Sequence, residues 1–388
     1  MSRGHATLGC ALAGAAGLAA TAGGAFFDAP QALRSLLLAE LFWLGVPVGA
    51  LGLLMLHHLT GGAWGFLLRR ILEAALAALF PLALLFVPVL LGAPSLFPWV
   101  NAPPGDPRLM QKALYLNLPA FVARSVLYFA CWGALSVLLR RWSRRLDRTG
   151  AALASARSRT LSGPGLVVLV VTSSFAATDW AMALEPRWYS TVYGMIFISG
   201  QALTALTFAI VALVLSPREG TLAPLATPRR LQQLGNLTLT LVMLWAYLQF
   251  SQFLITWAGN LPLEIAWYLR RARGSWGGVA IALALFHFGL PFVLLLSREA
   301  KRRPRALAAL CGFVLALRWL AMVWMIVPAF HPAGFTLHWL DLAATAGCGG
   351  AALSAFLWAL GRAPLVPWRD PRLPEFLGPQ PVPALDER

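Results

Sequence analysis

The chain alternates long apolar runs with short polar segments, and the length of the runs sets its architecture. A hydrocarbon core of about 30 Å takes roughly 20 apolar residues as a helix. Ten stretches meet that length, near 8–27, 35–56, 72–93, 113–139, 164–184, 188–215, 232–258, 276–297, 306–328 and 337–360. The pattern predicts an all-α polytopic membrane protein with ten transmembrane helices in a single integral domain, 1–363. Residues 364–388 are proline-rich (PLVPWRDPRLPEFLGPQPVPALDER) and read as an extended cytoplasmic tail, either draped over a neighbouring subunit or disordered. Spans 2 and 6 each lead to an Arg pair, Arg69–Arg70 and Arg229–Arg230. This faint symmetry is compatible with tandem bundles at 35–184 and 188–328.

Composition narrows the class. Of the 388 residues, 59% are hydrophobic and 12% charged, and the mean hydropathy is +0.70. A soluble domain carries about 25% charged residues, so a soluble globular enzyme is excluded. The net charge of +16 would suggest nucleic acid in a soluble protein. Here no basic folded domain exists to supply a phosphate-binding face, and no nucleic-acid partner is expected.

The basic residues instead orient the chain. Of its 31 Lys and Arg, 22 fall at the N-terminus, in the loops after spans 2, 4, 6 and 8, and in the tail, and 7 fall on the opposite side. The positive-inside rule then places both termini in the cytoplasm. Arg3, the apolar run after it and TAGGA have the form of a signal peptide; the charge asymmetry, counted with all ten spans, favours a retained first helix, with the signal peptide as the alternative. The segment RRWSRRLDRTG (140–150) reads as an anchor near anionic lipid headgroups.

Ionisable side chains are costly in lipid and usually face a bundle interior. Those within spans are Glu40, Glu73, Arg124, Asp179, His287, Arg318 and Asp341. Glu73 sits at the cytoplasmic edge and is expected to reach water. By depth, Asp179 or Asp341 would partner Arg124 or Arg318, either as an architectural ion pair or in quinone or proton handling. His287 is either a hydrogen-bonded core residue or a proton relay. Asn236, Thr240, Tyr247 and Ser251 share one face of span 7 and either join helices or line a hydrated path.

No ligand set for a redox cofactor emerges. A membrane haem needs two His at matching depth on different helices. His57 and His58 are adjacent, and His331 and His338 lie around a span boundary. Cys10, Cys131, Cys311 and Cys348 lack CxxC spacing and suit neither a cluster nor a disulfide framework. No metal site and no cofactor of the chain's own is expected, with quinol or quinone as the ligand to be considered.

The junction of spans 5 and 6 reads DWAMALEPRWYSTVYG (179–194), with two acids, an Arg, two Trp and two Tyr about a three-residue external hairpin. This block resembles the NrfD-like, polysulfide-reductase-type membrane subunits of alternative complex III, a quinol:cytochrome c oxidoreductase. LFWLGVPVGALGLLMLHHLTGGAWG (41–65), LWAYLQFSQFLITWAGNLPLEIAWYLRR (244–271) and HFGLPFVLLLSREAKR (287–302) follow the same likeness in order. The nearest resemblance is to the smaller of that complex's two large membrane subunits.

The resemblance implies two four-helix bundles with two peripheral helices, in the bacterial inner (cytoplasmic) membrane. It implies a paralogous ten-helix subunit, a periplasmic iron–sulfur subunit, multihaem and monohaem cytochromes c, and membrane lipid as partners. Quinol oxidation is generally placed in the paralogue, with proton movement or assembly left to the smaller subunit. The family carries His where this chain has Arg187, which cannot relay a proton but would pair with Glu185. Together these readings predict a proton or quinone path through Asp179, His287, Arg318 and Asp341, helped by Tyr247 and Ser251, with Glu40 and Arg124 as further members. Glu185, Arg187, Trp188, Tyr189 and Glu264 are hairpin or interface candidates. The competing readings are a scaffold subunit without chemistry and a stand-alone secondary transporter; the latter is expected to show paired broken helices, which the sequence lacks.

Overall fold

A computed structural model describes residues 3–102, 107–150, 152–216, 225–362, 364 and 370. Ten helices are long and apolar enough to cross a membrane: α1 (Gly4–Ala25), α2 (Ala29–Thr60), α3 (Ala63–Leu91), α4 (Leu118–Thr149), α5 (Ser155–Leu184), α6 (Tyr193–Leu215), α7 (Pro228–Gly259), α8 (Gly274–Leu296), α9 (Pro304–Ala329) and α10 (Trp339–Leu360). The described residues contain no strand. The chain is an all-α, multi-pass membrane protein.

Local chemistry sets the helix ends. Asp28 Oδ1 accepts from the Gln31 N–H at 3.0 Å to open α2. Asn117 caps α4 through the Ala120 N–H at 2.9 Å, with Pro119 in its first turn. That cap moves the start of α4 five residues past the apolar onset at 113. At its other end α4 runs on through Arg140–Arg148, because arginine is a good helix former and the macrodipole favours cations at a C-terminus. Gly150, at φ 64°, stops it. Pro228 opens α7 behind a Thr227 cap, and Asn260 in the left-handed region closes it.

The hairpin between α5 and α6 is longer than three residues. α5 ends in a 3₁₀ turn at Met182–Leu184, and α6 begins at Tyr193 rather than 188. Glu185–Val192 is loop: Pro186 cannot donate to a helix, and the Ser190 hydroxyl accepts from the Val192 N–H at 3.2 Å.

Two sets of four helices meet along α2 and α6. In the first, α2 packs on α3 and α5, and α4 on α5; in the second, α6 packs on α7 and α9, and α8 on α7 and α9. α2 and α6 touch along much of their length. α1 and α10 pair closely beside α2, at glycines. A Cβ on Gly350 would stand 2.3 Å from the Gly14 Cα, and one on Gly17 would stand 2.6 Å from the Gly347 N. Backbone approach of this kind drives helix association in lipid, where apolar surface gains nothing by leaving acyl chains.

α3 is broken by a 3₁₀ turn at Leu76–Ala78 and carries Pro81 and Pro88. α8 is widened to a π-helix over Leu283–Gly289. They stand second and third in their respective sets, so the irregular helices are not at equivalent positions.

Glu73 does not reach water. At the Arg-rich ends of α3 and α4 it is buried, its Oε1 accepting from Arg69 Nε at 2.9 Å and Ser143 Oγ at 2.8 Å, and its Oε2 from Arg70 Nη1 at 2.7 Å. Arg70 also pairs with Asp147, and Arg69 with Asp370. Most of the tail lies outside the described residues, but Asp370 is thus tied to α3.

Candidate functional site

In the first helix set, Arg124 and Tyr128 lie four residues apart on one face of α4 and converge on Asp179 of α5. Asp179 is 0% exposed. Its Oδ2 accepts from Arg124 Nε at 2.9 Å and Tyr128 Oη at 2.7 Å, and its Oδ1 from Arg124 Nη2 at 2.9 Å. The Tyr115 ring lies 3.9 Å from the guanidinium carbon. Burial, with the Asp179 charge adding to it, pushes the Tyr115 hydroxyl above its usual range. Trp180 donates to Ser125 Oγ at 3.0 Å and packs among Phe86, Phe129 and Trp132. A two-pronged guanidinium–carboxylate pair with a further donor offsets desolvation better than any single contact.

The second set holds a different arrangement. His287 falls in the π-helical turn of α8. The cause is Pro291, which has no N–H to return to the His287 carbonyl; the helix widens, and the Leu290 N–H reaches the Leu285 carbonyl instead. The His287 ring meets Trp245 of α7 edge-on, centroids 4.2 Å apart. The Arg318 guanidinium, from α9, lies 5.4 Å from the Trp245 ring centroid. Gly200 of α6 makes room for it, since a Cβ there would be 2.2 Å from Arg318 Nη2. Arg318 is 2% exposed and His287 0%. Both His287 ring nitrogens, Trp245 Nε1, and Arg318 Nε and Nη1 are buried without a hydrogen-bond partner. Unpaired buried polar groups are costly, and protein interiors usually resolve them with water.

Along the α2–α10 seam, Glu40 is buried with one oxygen 3.5 Å from Cys348 Sγ and the other unpartnered. Asp341 closes a capping box: its Oδ2 accepts from the His338 N–H at 2.9 Å. Its Oδ1 accepts from Ser35 Oγ at 2.5 Å and Gln31 Nε2 at 3.4 Å. Asp341 therefore caps α10 and ties it to α2, and pairs with neither arginine.

The external loop is clamped to the short helix Pro262–Ala272. Glu185 binds Arg270 at 2.5 Å and Arg271 at 2.8 Å. Arg271 is buried, donates to the Trp324, Met325 and Trp267 carbonyls, and lies 3.7 Å over the Trp267 ring. Its burial presses the guanidinium below its usual range, and Glu185 opposes that shift. Trp188 stacks on Trp267 at 4.8 Å and donates to the Glu264 carbonyl at 3.1 Å. Glu264 thus contributes backbone, and Arg270 and Arg271 are the two strong partners of Glu185. Tyr189 faces Lys112, whose Nζ donates to the Pro186 carbonyl at 2.8 Å.

The anticipated single path separates into three clusters: Asp179 with Arg124, His287 with Arg318, and Asp341 with Ser35, with Glu40 further along that last seam. Tyr247 and Ser251 join none of them. Tyr247 is 66% exposed on the outer face of α7, whose inner face is Leu231, Leu234, Thr238, Val242 and Trp245. Trp245, Tyr128 and Gly200 were not anticipated. Tyr128 was findable, four residues after Arg124. Trp245 and Gly200 carry no signal in a chain rich in both residue types. No family model matches the chain, and no curated protein matches it.

Proposed function

We propose that this chain is a cofactor-free membrane subunit of a respiratory quinol:cytochrome c oxidoreductase of the alternative complex III type, in the bacterial cytoplasmic membrane, and that it handles protons. Electrons would run through partner subunits: an iron–sulfur protein, c-type cytochromes and a paralogous ten-helix subunit. The resemblance of four ordered segments supplies the context. The observation that carries the proton role is the His287–Trp245–Arg318 cluster, five unpartnered polar atoms in the middle of a helix bundle. A cluster that only held helices together would be completed internally, as Arg124 and Asp179 are. Quinol oxidation releases two protons, and an imidazole beside hydrated donors can pass one on.

His287→Gln in the assembled complex tests the reading, by quinol-driven cytochrome c reduction and by the membrane potential that turnover builds. We expect one or both to fall at least tenfold with assembly intact. Unchanged turnover and unchanged potential would leave the scaffold reading, which the completed Arg124–Asp179 pair favours. Isolation without any c-type cytochrome would remove the respiratory context altogether.

A further inference from the structure

We propose that a recess at the cytoplasmic ends of α3, α4 and α10 binds the phosphodiester of an anionic glycerophospholipid. Arg70, Glu73 and Ala74 of α3, Arg140 and Arg144 of α4, and Ala359 and Arg362 at the end of α10 line it. The recess lies on the opposite side of the protein from the α5–α6 hairpin, and its chemistry is independent of the respiratory reading.

Charge sets the ligand's sign. Among the described residues, Arg69, Arg70, Arg140, Arg144 and Arg362 gather here against Glu73, Asp147 and Asp370, five cations to three acids. Glu73 does not repel an anion, because Arg69, Arg70 and Ser143 occupy both its oxygens. Among the described residues, neither Arg140 nor Arg144, one helical turn apart on α4, takes part in an ion pair. Arg70 is buried in the wall, its guanidinium held by Glu73, Ser143 and Asp147, so it contributes charge to the recess.

Depth and shape set its class. Arg140 and Arg144 follow the apolar part of α4, and Arg362 follows the end of α10 at Leu360, so headgroup level is the depth expected for the recess. Ala74 and Ala359 keep its walls low. Next to it Trp358 faces outward, with Arg362 lying 3.9 Å over its ring. A phosphate entering there has apolar helix surface beside it for acyl chains. Basic recesses between transmembrane helices on the cytoplasmic side suit such headgroups. Free inorganic phosphate shares the oxygen chemistry but gains nothing from the apolar flank.

The test compares two pairs of substitutions of equal charge on the same helix. R140Q/R144Q empties the recess; R141Q/R145Q removes two exposed arginines outside it. Full-length protein is purified from membranes, its retained phospholipid is counted by native mass spectrometry, and rebinding is followed in phosphatidylglycerol-containing and pure phosphatidylcholine vesicles. We expect R140Q/R144Q alone to bind phosphatidylglycerol roughly tenfold to thirtyfold more weakly, with no change in thermal stability large enough to account for it. An equal loss in both pairs would mean a diffuse field and overturn the site. So would wild-type retention by R140Q/R144Q. Displacement of the lipid by millimolar inorganic phosphate, with phosphatidylcholine vesicles binding as well as phosphatidylglycerol ones, would reassign the recess to a free anion.

Discussion

Arg124 and Asp179 show how a charge is tolerated between greasy helices: each oxygen and each facing nitrogen has a partner. Removing one member should cost far more than removing both. We expect Asp179→Asn to lower stability in detergent by about 3–5 kcal/mol, because it strands Arg124, and the double substitution R124M/D179L to recover most of it. Denaturation midpoints of the three proteins decide; additive losses would mean the pair is not one unit. The same logic applies outside the membrane, where Glu185→Gln leaves the buried Arg271 without its counter-charge. That variant should melt early, with the external loop open to protease. Sequence depth had narrowed Arg124 to two candidate acids, and the structure selects Asp179. It could not tell that Arg318 would have none, since the absence of a partner depends on how all neighbouring helices are rotated.

Helix rotation is where sequence reading ran out at the next scale. A soluble helix advertises its inner face by being apolar on that side alone. In α7 both faces are apolar, because lipid accepts Leu as readily as a core does. The polar residues Asn236, Thr240, Tyr247 and Ser251 therefore formed the visible stripe, yet α7 buries the face carrying Trp245. Length signals were more faithful: all ten spans were legible, and the largest slips, the end of α4 and the starts of α3 and α5, came where a helix runs on past its apolar stretch into polar residues that hydropathy does not count. α8 offers a test of its own. Pro291→Ala restores the missing N–H and should let the π-turn revert to α-helix, turning His287 by about 100° relative to the following turns. If the cluster carries function, this variant should lose turnover as His287→Gln does while melting no lower. Wild-type turnover with a regularised α8 would dissociate the π-turn from the role of His287.

The distribution of arginine predicts an orientation for the whole molecule, and that orientation can be checked without knowing the function. Arg145→Cys and Arg273→Cys place single thiols on opposite sides. The native cysteines Cys311 and Cys348 are buried, and Cys10 and Cys131 lie within membrane helices. An impermeant thiol reagent applied to intact cells should label Cys introduced at 273 and not at 145; the reverse would invert every assignment of inside and outside. The two four-helix sets were legible only as a faint echo between Arg pairs, because tandem bundles can share a packing scheme with little sequence in common.

α1 leans chiefly on α10, glycine to glycine, with a smaller contact to α2. The ribosome makes α1 well before α10, so α1 waits in the bilayer for some three hundred residues before its seat exists. Until then it is a greasy rod held by little more than its tether to α2, and α10 acts as a clasp. A nascent chain halted before Trp339 should leave that rod loose enough to be captured by insertion chaperones.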